Sequence, residues 1–321
     1  MTKFSIVMPV YNAGNELKRS IGSVLNQTYE NWELIIINDG STDNTLEVAN
    51  SIAQMDDRVK IFSQDNSGPG AARNNGISKC TGDFVAFIDS DDYYDSEFLM
   101  SVNTVNEISS KDIIFVDFVN EDKNGKVYDC SNIYSLRNKK KNELLSMQMT
   151  GLMPWGPVVK VSKLEIAKMF SFSNIDVGEE AVFSFDLLSN CSSIGFVEKP
   201  LYHYVHNDSG QHTKGGLDPW WSAVDLMNEH LIACGKNAAF ESSINSFALR
   251  ALCINLYRCA CNYDYKDALQ EMKKSYLRYK KKYDFTNLNF NALDKKSLMI
   301  LRCLRSNAYL IIYLASKVRK G

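Results

Sequence analysis

Between Phe4 and Val116 the chain alternates short apolar runs with stretches whose apolar residues recur every three or four positions. Phe4-Ser5-Ile6-Val7-Met8 is a compact run closed by Pro9, which reads as a strand. Leu17, Ile21, Val24 and Leu25 then fall at helical spacing. Leu34-Ile35-Ile36-Ile37 is apolar at every position and mostly β-branched, as in a strand covered on both faces. Ser41-Thr42-Asp43 offers N-cap chemistry to a helix carrying Leu46, Ala49, Ile52 and Ala53. Val59 to Phe62, Phe84 to Ile88 and Ile113 to Val116 read as further strands, with a short helix over Gly70 to Ile77. This β-α-β-α order predicts an α/β fold: a Rossmann-like, mostly parallel sheet with helices on both faces.

After Trp220-Trp221 the period becomes helical throughout. Leu249, Leu252, Cys253 and Leu256 share one face, and Tyr276, Tyr279 and Tyr283 share another. The expected organisation is a first half of the α/β domain over 1–105, a second half over 106–215 and a helical, basic extension over 216–321.

Ligands of open α/β sheets sit beyond the carboxyl ends of the strands. Three predicted strands end there in polar, turn-forming residues: Pro9-Val10-Tyr11-Asn12, Asn38-Asp39-Gly40-Ser41 and Asp89-Ser90-Asp91-Asp92. Parallel strands would bring the three clusters to one rim. Asp89 and Asp91 are two apart, so an extended chain places both carboxylates on one side. Two such charges call for a compensating cation or donors. Hard carboxylate oxygens suit Mg²⁺ or Mn²⁺, ions that commonly bridge protein carboxylates to phosphates. The competing reading is an acidic turn that caps the following helix. Neither Gly-x-Gly-x-x-Gly nor the phosphate-binding Gly-x-x-x-x-Gly-Lys-Ser/Thr occurs, which disfavours dinucleotide oxidoreductases and P-loop NTPases.

Taken together, these segments resemble the family 2 glycosyltransferases of the bacterial surface-polysaccharide type, which have the GT-A fold. Ser5 to Asn12 resembles the family's opening strand and loop, and Ile37 to Asp43 its nucleotide-base motif. Asn66 to Asn74 resembles the glycine-rich turn and helix, and Phe87 to Asp92 the Asp-x-Asp metal motif. The likeness continues more loosely through Met153-Pro154-Trp155 with Lys160, Gly178 to Phe183, and Pro200 to Tyr204, with His206 and Ser209 beyond.

The resemblance implies a metal-dependent, inverting transfer of a sugar from a nucleotide-sugar, UDP-linked by the likeness around Asp39. Asp39 would bond the base. Pro9, Val10 and Tyr11 would line its pocket, and Arg73 would lie near base or diphosphate. Asp89, with Ser90, would meet the donor or the metal, and Asp91 would be the direct ligand of Mn²⁺ or Mg²⁺. His206 is a further candidate metal ligand, or an incidental member of a polar loop with His203 and His212. Glu180 stands where the family usually has a catalytic Asp, with Glu179 before it. Either is a candidate base, or both cap a helix. Trp155 would stack on an acceptor sugar or pack in the core. The acceptor would be a glycan or a lipid-linked sugar, and the enzyme a hexosyl- or N-acetylhexosaminyltransferase. The competing function is a non-catalytic scaffold subunit of the same fold.

Charge adds one feature. The net of −2 divides sharply: from Lys266 onward stand 14 Lys/Arg against 4 Asp/Glu, a net of +10, leaving the rest at −12. An acidic body argues against nucleic acid as a partner. A basic, tyrosine-bearing helical tail suits the anionic inner face of a membrane, or is a helical cap with a solvated face. No apolar stretch reaches the ~20 residues of a membrane span, and Met1 leads straight into the first strand. The expected location is therefore cytoplasmic, peripheral at the membrane. The eight cysteines show no zinc-binding spacing and are expected to be small buried apolar residues.

Overall fold

A computed structural model describes residues 1–14, 16–206 and 218–318, the side chain of Val318 excepted. Ser209, His212, Arg319 and Lys320 lie outside them. The chain divides into two compact units. Met1–Lys141, Trp155–Asn174 and Phe183–Gln211 make the first; Asn142–Pro154, Ile175–Val182 and His212–Gly321 make the second.

In chain order the elements begin with β1 (Phe4–Val10), α1 (Leu17–Leu25), β2 (Trp32–Asp39), α2 (Thr45–Ala53), β3 (Val59–Gln64), α3 (Pro69–Lys79), β4 (Phe84–Phe87), β5 (Tyr93–Tyr94) and α4 (Phe98–Ser109). There follow β6 (Ile113–Asp122), β7 (Val127–Cys130), α5 (Lys141–Met149), β8 (Lys160–Lys163), α6 (Leu164–Ala167), α7 (Glu179–Asn190) and β9 (Ile194–His206). The last five are helices: α8 (Trp221–Ala233), α9 (Asn237–Asn262), α10 (Tyr265–Lys282), α11 (Lys295–Arg305) and α12 (Tyr309–Val318).

Among the described residues nine strands join one sheet, in the order β3-β2-β1-β4-β8-β6-β9-β5, with β7 on β6. β1 lies parallel to β2 from Phe4↔Trp32 to Val10↔Asn38, and parallel to β4 from Phe4↔Phe84. Every residue of β1 and β2 is buried, which is why both read as nearly unbroken apolar runs. β6 does not adjoin β4. The short β8 enters between them, antiparallel to both, so β4, β6 and β9 still run in one direction. The sheet is thus mostly parallel, as expected, with β5, β7, β8 and β9 as strands that the apolar pattern did not announce.

Helix α3 packs hard on this sheet. A Cβ on Gly76 would come 2.4 Å from Val7 Cγ1, so no larger residue fits without movement. Phe172 and Phe183 stack with centroids 4.0 Å apart and meet Phe87 edge-on at 5.8 and 6.0 Å, anchoring β4 beside its polar end. At the opposite end of the sheet, Glu33 of β2 is buried. It accepts hydrogen bonds from Ser5 Oγ (2.7 Å), Thr81 N (2.7 Å), Thr81 Oγ1 (2.8 Å) and Lys60 Nζ (2.9 Å).

The second unit is helical. Leu249, Leu252, Cys253 and Leu256 of α9 are buried on one face, as their spacing predicted. Tyr279 and Tyr283 are also buried, not presented outward: Trp221 meets them edge-on at 4.7 and 6.0 Å. Their hydroxyls donate to Asp218 (2.7 Å) and Asp225 (3.2 Å). Arg278 lies 3.9 Å over the Trp221 ring and pairs with Asp218. A tyrosine every third or fourth position marks this core stripe. Among the described residues no helix is long and apolar enough to cross a membrane. Five cysteines are buried, but Cys130 and Cys234 are exposed and Cys261 is half-buried, which corrects the uniform expectation. Cys130 ends the edge strand β7 and Cys234 caps α8, two places where the chain meets solvent.

Candidate functional site

β1, β2 and β4 are adjacent and parallel, so their carboxyl ends share one edge of the first unit, and the three polar clusters come together there. Val10 ends β1 buried, and Tyr11 emerges 52% exposed. Asn12 takes a left-handed conformation (φ 49), which Asn tolerates better than most residues. Its side chain accepts from Thr42 N (2.9 Å), while its own N–H donates to Ser41 Oγ (3.0 Å). Ala13 N donates to Thr45 Oγ1 (2.8 Å). The loop after β1 is therefore stitched to the loop after β2. Asp43 accepts from Thr45 N (3.0 Å), but the N-cap of α2 is Asn44, which makes no side-chain cap bond, so Asp43 orders the turn just before the helix instead of capping it as expected.

Asp39 ends β2 buried. Its carboxylate accepts from Gln64 Nε2 (2.8 Å), Ser67 N (2.9 Å) and Gly68 N (2.8 Å). It thereby holds the glycine-rich turn that opens α3. Gly40 follows with φ 73, and a Cβ there would lie 2.9 Å from Asn66 N. Only glycine combines that backbone with so close an approach. Gly68 (φ 88) and Pro69 at the helix start then set the direction of α3, whose second turn carries Arg73.

Arg73 is 3% exposed and donates through Nη2 to Asp89 Oδ1 at 2.8 Å; its guanidinium lies 5.5 Å from the centre of the Phe172 ring. Asp89 is 30% exposed. The turn that follows is tied down by α1: Ser20 Oγ lies 2.7 Å from the Ser90 carbonyl and 2.5 Å from that of Asp92, and Arg19 bonds the Asp91 carbonyl. Burial, then the charge of Asp89, pushes the Asp91 carboxyl above the usual carboxylate range.

Asp92 is the residue that sequence reasoning missed. It is 1% exposed and turned into the protein, where Oδ2 accepts from Tyr202 OH (2.5 Å) and Oδ1 from Val205 N (2.9 Å). Burial, then the charges of Asp89 and Asp91, raises its carboxyl well above normal. Tyr202 OH also accepts from Asp89 N at 3.4 Å, so this tyrosine links the turn to β9. Its only sequence signal is its place in the Pro200 to Tyr204 segment of family likeness. Asp92 stands one place out of the Asp89/Asp91 alternation, which foretells its inward direction.

The remaining candidates are distributed. His206 ends β9 one residue beyond Val205, but its Nε2 bonds Asn120 Oδ1 at 2.9 Å. Among the described residues no three His, Cys, Asp or Glu gather to hold a metal. Asp89 and Asp91 nevertheless suit a divalent ion. They are hard oxygen donors whose mutual repulsion, seen in the raised Asp91, a cation would relieve. Trp155 is half-buried, and its carbonyl accepts from Ser184 Oγ (2.5 Å) and Lys160 Nζ (3.2 Å). Glu179 and Glu180 belong to the second unit, half-buried in the first turn of α7. Gly178 before them has φ 92, and a Cβ there would meet Ala223 Cβ at 2.7 Å.

Comparison with known proteins agrees with this layout. Residues 5–157 match the model of "Glycosyl transferase family 2". The putative glycosyltransferase EpsH of Bacillus subtilis is 32% identical over 214 residues, covering 64% of this chain and 61% of that protein. The chain spans less than two thirds of the length of several curated relatives that it matches. In fold it is similar to residues 1–349 of S. aureus TarS in complex with UDP-GlcNAc, with a TM-score of 0.64 at 16% identity over 88% of this chain and 93% of that one. The mannosyltransferase PcManGT of Pyrobaculum calidifontis, in complex with GDP-Man and Mn²⁺, gives a TM-score of 0.51 at 13% identity over 99% of this chain and 87% of that one. The chain has the GT-A fold, and its residues 5–157 carry the similarity to glycosyl transferase family 2.

Proposed function

We propose that this chain is a metal-dependent, inverting glycosyltransferase that moves a sugar from a UDP-sugar to a hydroxyl of a glycan or lipid-linked acceptor in polysaccharide synthesis. The observation that supports this most is the rim of the first unit, where Tyr11, Asp39, Arg73, Asp89 and Asp91 stand at the ends of adjacent parallel strands and on the helix between them. The exposed Tyr11 ring gives the base a surface to stack on, with Pro9 and Val10 behind it. Asp39 holds the Ser67-Gly68 turn that walls the pocket, and Oδ2, with one donor, keeps a lone pair for a uracil N–H. Arg73 and Ser90 flank the diphosphate. Asp89 and Asp91 would hold Mn²⁺ or Mg²⁺, which when bound neutralises charge on the leaving diphosphate. PcManGT in complex with Mn²⁺ supports that reading.

Inversion requires an acceptor hydroxyl in line with the anomeric carbon and a base to take its proton. Glu180 is assigned as that base, with Glu179 beside it at the helix start. Trp155 is assigned to the acceptor sugar. The basic C-terminal helices would keep the protein peripheral at the cytoplasmic face of a membrane.

The test incubates the full chain with a panel of nucleotide-sugars in Mn²⁺, Mg²⁺ or EDTA, reading free nucleotide and, in parallel, donor binding by calorimetry. Metal-dependent release or binding of one donor, lost in Asp91→Ala, is expected. Glu180→Gln should bind that donor normally and lower turnover by about 10²–10⁴, the usual worth of a general base. Absence of metal-dependent binding of every donor would end the transferase reading.

A further inference from the structure

A second feature lies far along the chain, in the helical unit. A cavity of about 400 Å³ opens where the last turn of α10 passes into Tyr283–Thr286, with Arg305 at the end of α11 as its far wall. Its lining holds four cations, Lys280, Lys281, Lys282 and Arg305, against one anion, Asp284. One of these cations is paired outside the lining, and the anion is hydrogen-bonded within it. Lys282 bonds Asp225, and Asp284 turns its carboxylate to Thr286, accepting from N at 2.8 Å and Oγ1 at 2.7 Å. Lys280 and Lys281 have no carboxylate within ion-pair distance among the described residues, and Arg305 spends one Nη2 bond on the Phe285 carbonyl at 2.7 Å. Three cations thus line one small space against one carboxylate, a net of +2, together with the Tyr276 and Phe285 rings, which lie 12° from parallel.

We infer that this cavity binds a phosphate group, carried by an anionic lipid or by a soluble phosphorylated molecule. The net of two positive charges that remains after Asp284 is counted matches a doubly charged phosphate. Lysine ammoniums supply point charges, and the guanidinium adds a directed donor. The surroundings favour the lipid source. Leu277, next to Tyr276 on α10, is 65% exposed, and α12 exposes Leu310, Ile311 and Leu314 at helical spacing. Lys273 of α10, one turn before Tyr276, lies 5.9 Å from the centre of the Tyr309 ring, which brings the start of α12 against α10 near the cavity. Apolar side chains beside a cationic recess match the boundary between acyl chains and headgroups. The inference does not depend on sugar transfer, because it is read by binding alone.

Two arms distinguish the phosphate sources. The full chain is titrated with inorganic pyrophosphate and with glycerol phosphate by calorimetry. It is also sedimented with phosphatidylcholine vesicles with and without phosphatidic acid. Lys280→Ala/Lys281→Ala is compared with Lys266→Ala/Lys295→Ala, which removes the same charge from exposed positions outside the cavity. The cavity variant should bind roughly thirtyfold more weakly, the effect of two cations at a phosphate-bearing surface, and the control variant by only a fewfold. Selective loss in the vesicle arm assigns a lipid phosphate, and selective loss in the soluble arm assigns a free one. Equal loss in both variants would reduce the effect to the overall charge of the tail and overturn the inference. So would wild-type protein that binds neither probe.

Discussion

Single side chains set the two ends of the first unit, and they do so by opposite means. At the carboxyl edge Asp89, Asp91 and Asp92 crowd into four residues, and the fold separates them by direction: one to Arg73, one half-buried, one inward to Tyr202 and Val205. At the amino edge Glu33 stands alone among donors. Burial works against its charge, but hydrogen bonds from Lys60, Ser5 and Thr81 outweigh it and hold the carboxyl at about 2, against an ordinary 4.5. A carboxyl depressed on folding stabilises the folded state fully above the ordinary value, and that contribution disappears as pH falls through the depressed one. The expected contribution is about 2–3 kcal/mol after allowance for the half-exposed Lys60. Urea unfolding of Glu33→Gln beside wild type should show that gap at neutral pH and its closure between pH 4.5 and 2. A gap that does not change with pH would mean that shape, not charge, is what Glu33 contributes.

At the scale of elements, legibility follows burial. β1, β2 and β4 were readable because strands covered on both faces must be apolar at every position. β8 was not, because Lys160-Val161-Ser162-Lys163 reads as surface. Yet Lys160 is 2% exposed, with Nζ bonded back to the Trp155 and Gly156 carbonyls, so the lysine itself conceals the strand. The three polar strand ends were legible for the same reason as the strands, whereas Tyr202 and Val205 reach Asp92 from a strand more than a hundred residues away, beyond any local period. Helix α3 gives the prediction that belongs here. Gly76→Ala raises intrinsic helix propensity by about 1 kcal/mol, but its Cβ would press on Val7 Cγ1 at 2.4 Å. Overpacking of this kind costs about 1–3 kcal/mol, so the variant should melt lower than wild type despite its better helix. Because α3 also carries Arg73, donor affinity should fall with it. A higher melting temperature would show that α3 can retreat from β1 without loss.

For the whole molecule, ligand binding at the rim of the first unit is linked to folding. A donor bound at the rim favours the folded protein over the unfolded chain, so it should raise thermal stability by mass action, by about 2.7 kcal/mol at a hundredfold excess over its Kd. The negative charges of Asp89 and Asp91 repel an anionic diphosphate and so work against that gain. UDP alone should therefore shift the melting temperature little, and UDP with Mn²⁺ much more. EDTA should remove the difference, and Asp91→Ala should remove it without chelator. A shift by UDP that is the same with Mn²⁺ and with EDTA would leave the nucleotide at the rim but deny the aspartates their cation. In that case Arg73, the buried cation beside Asp89, would have to carry the diphosphate charge, and Arg73→Ala rather than Asp91→Ala would be the variant that abolishes the shift.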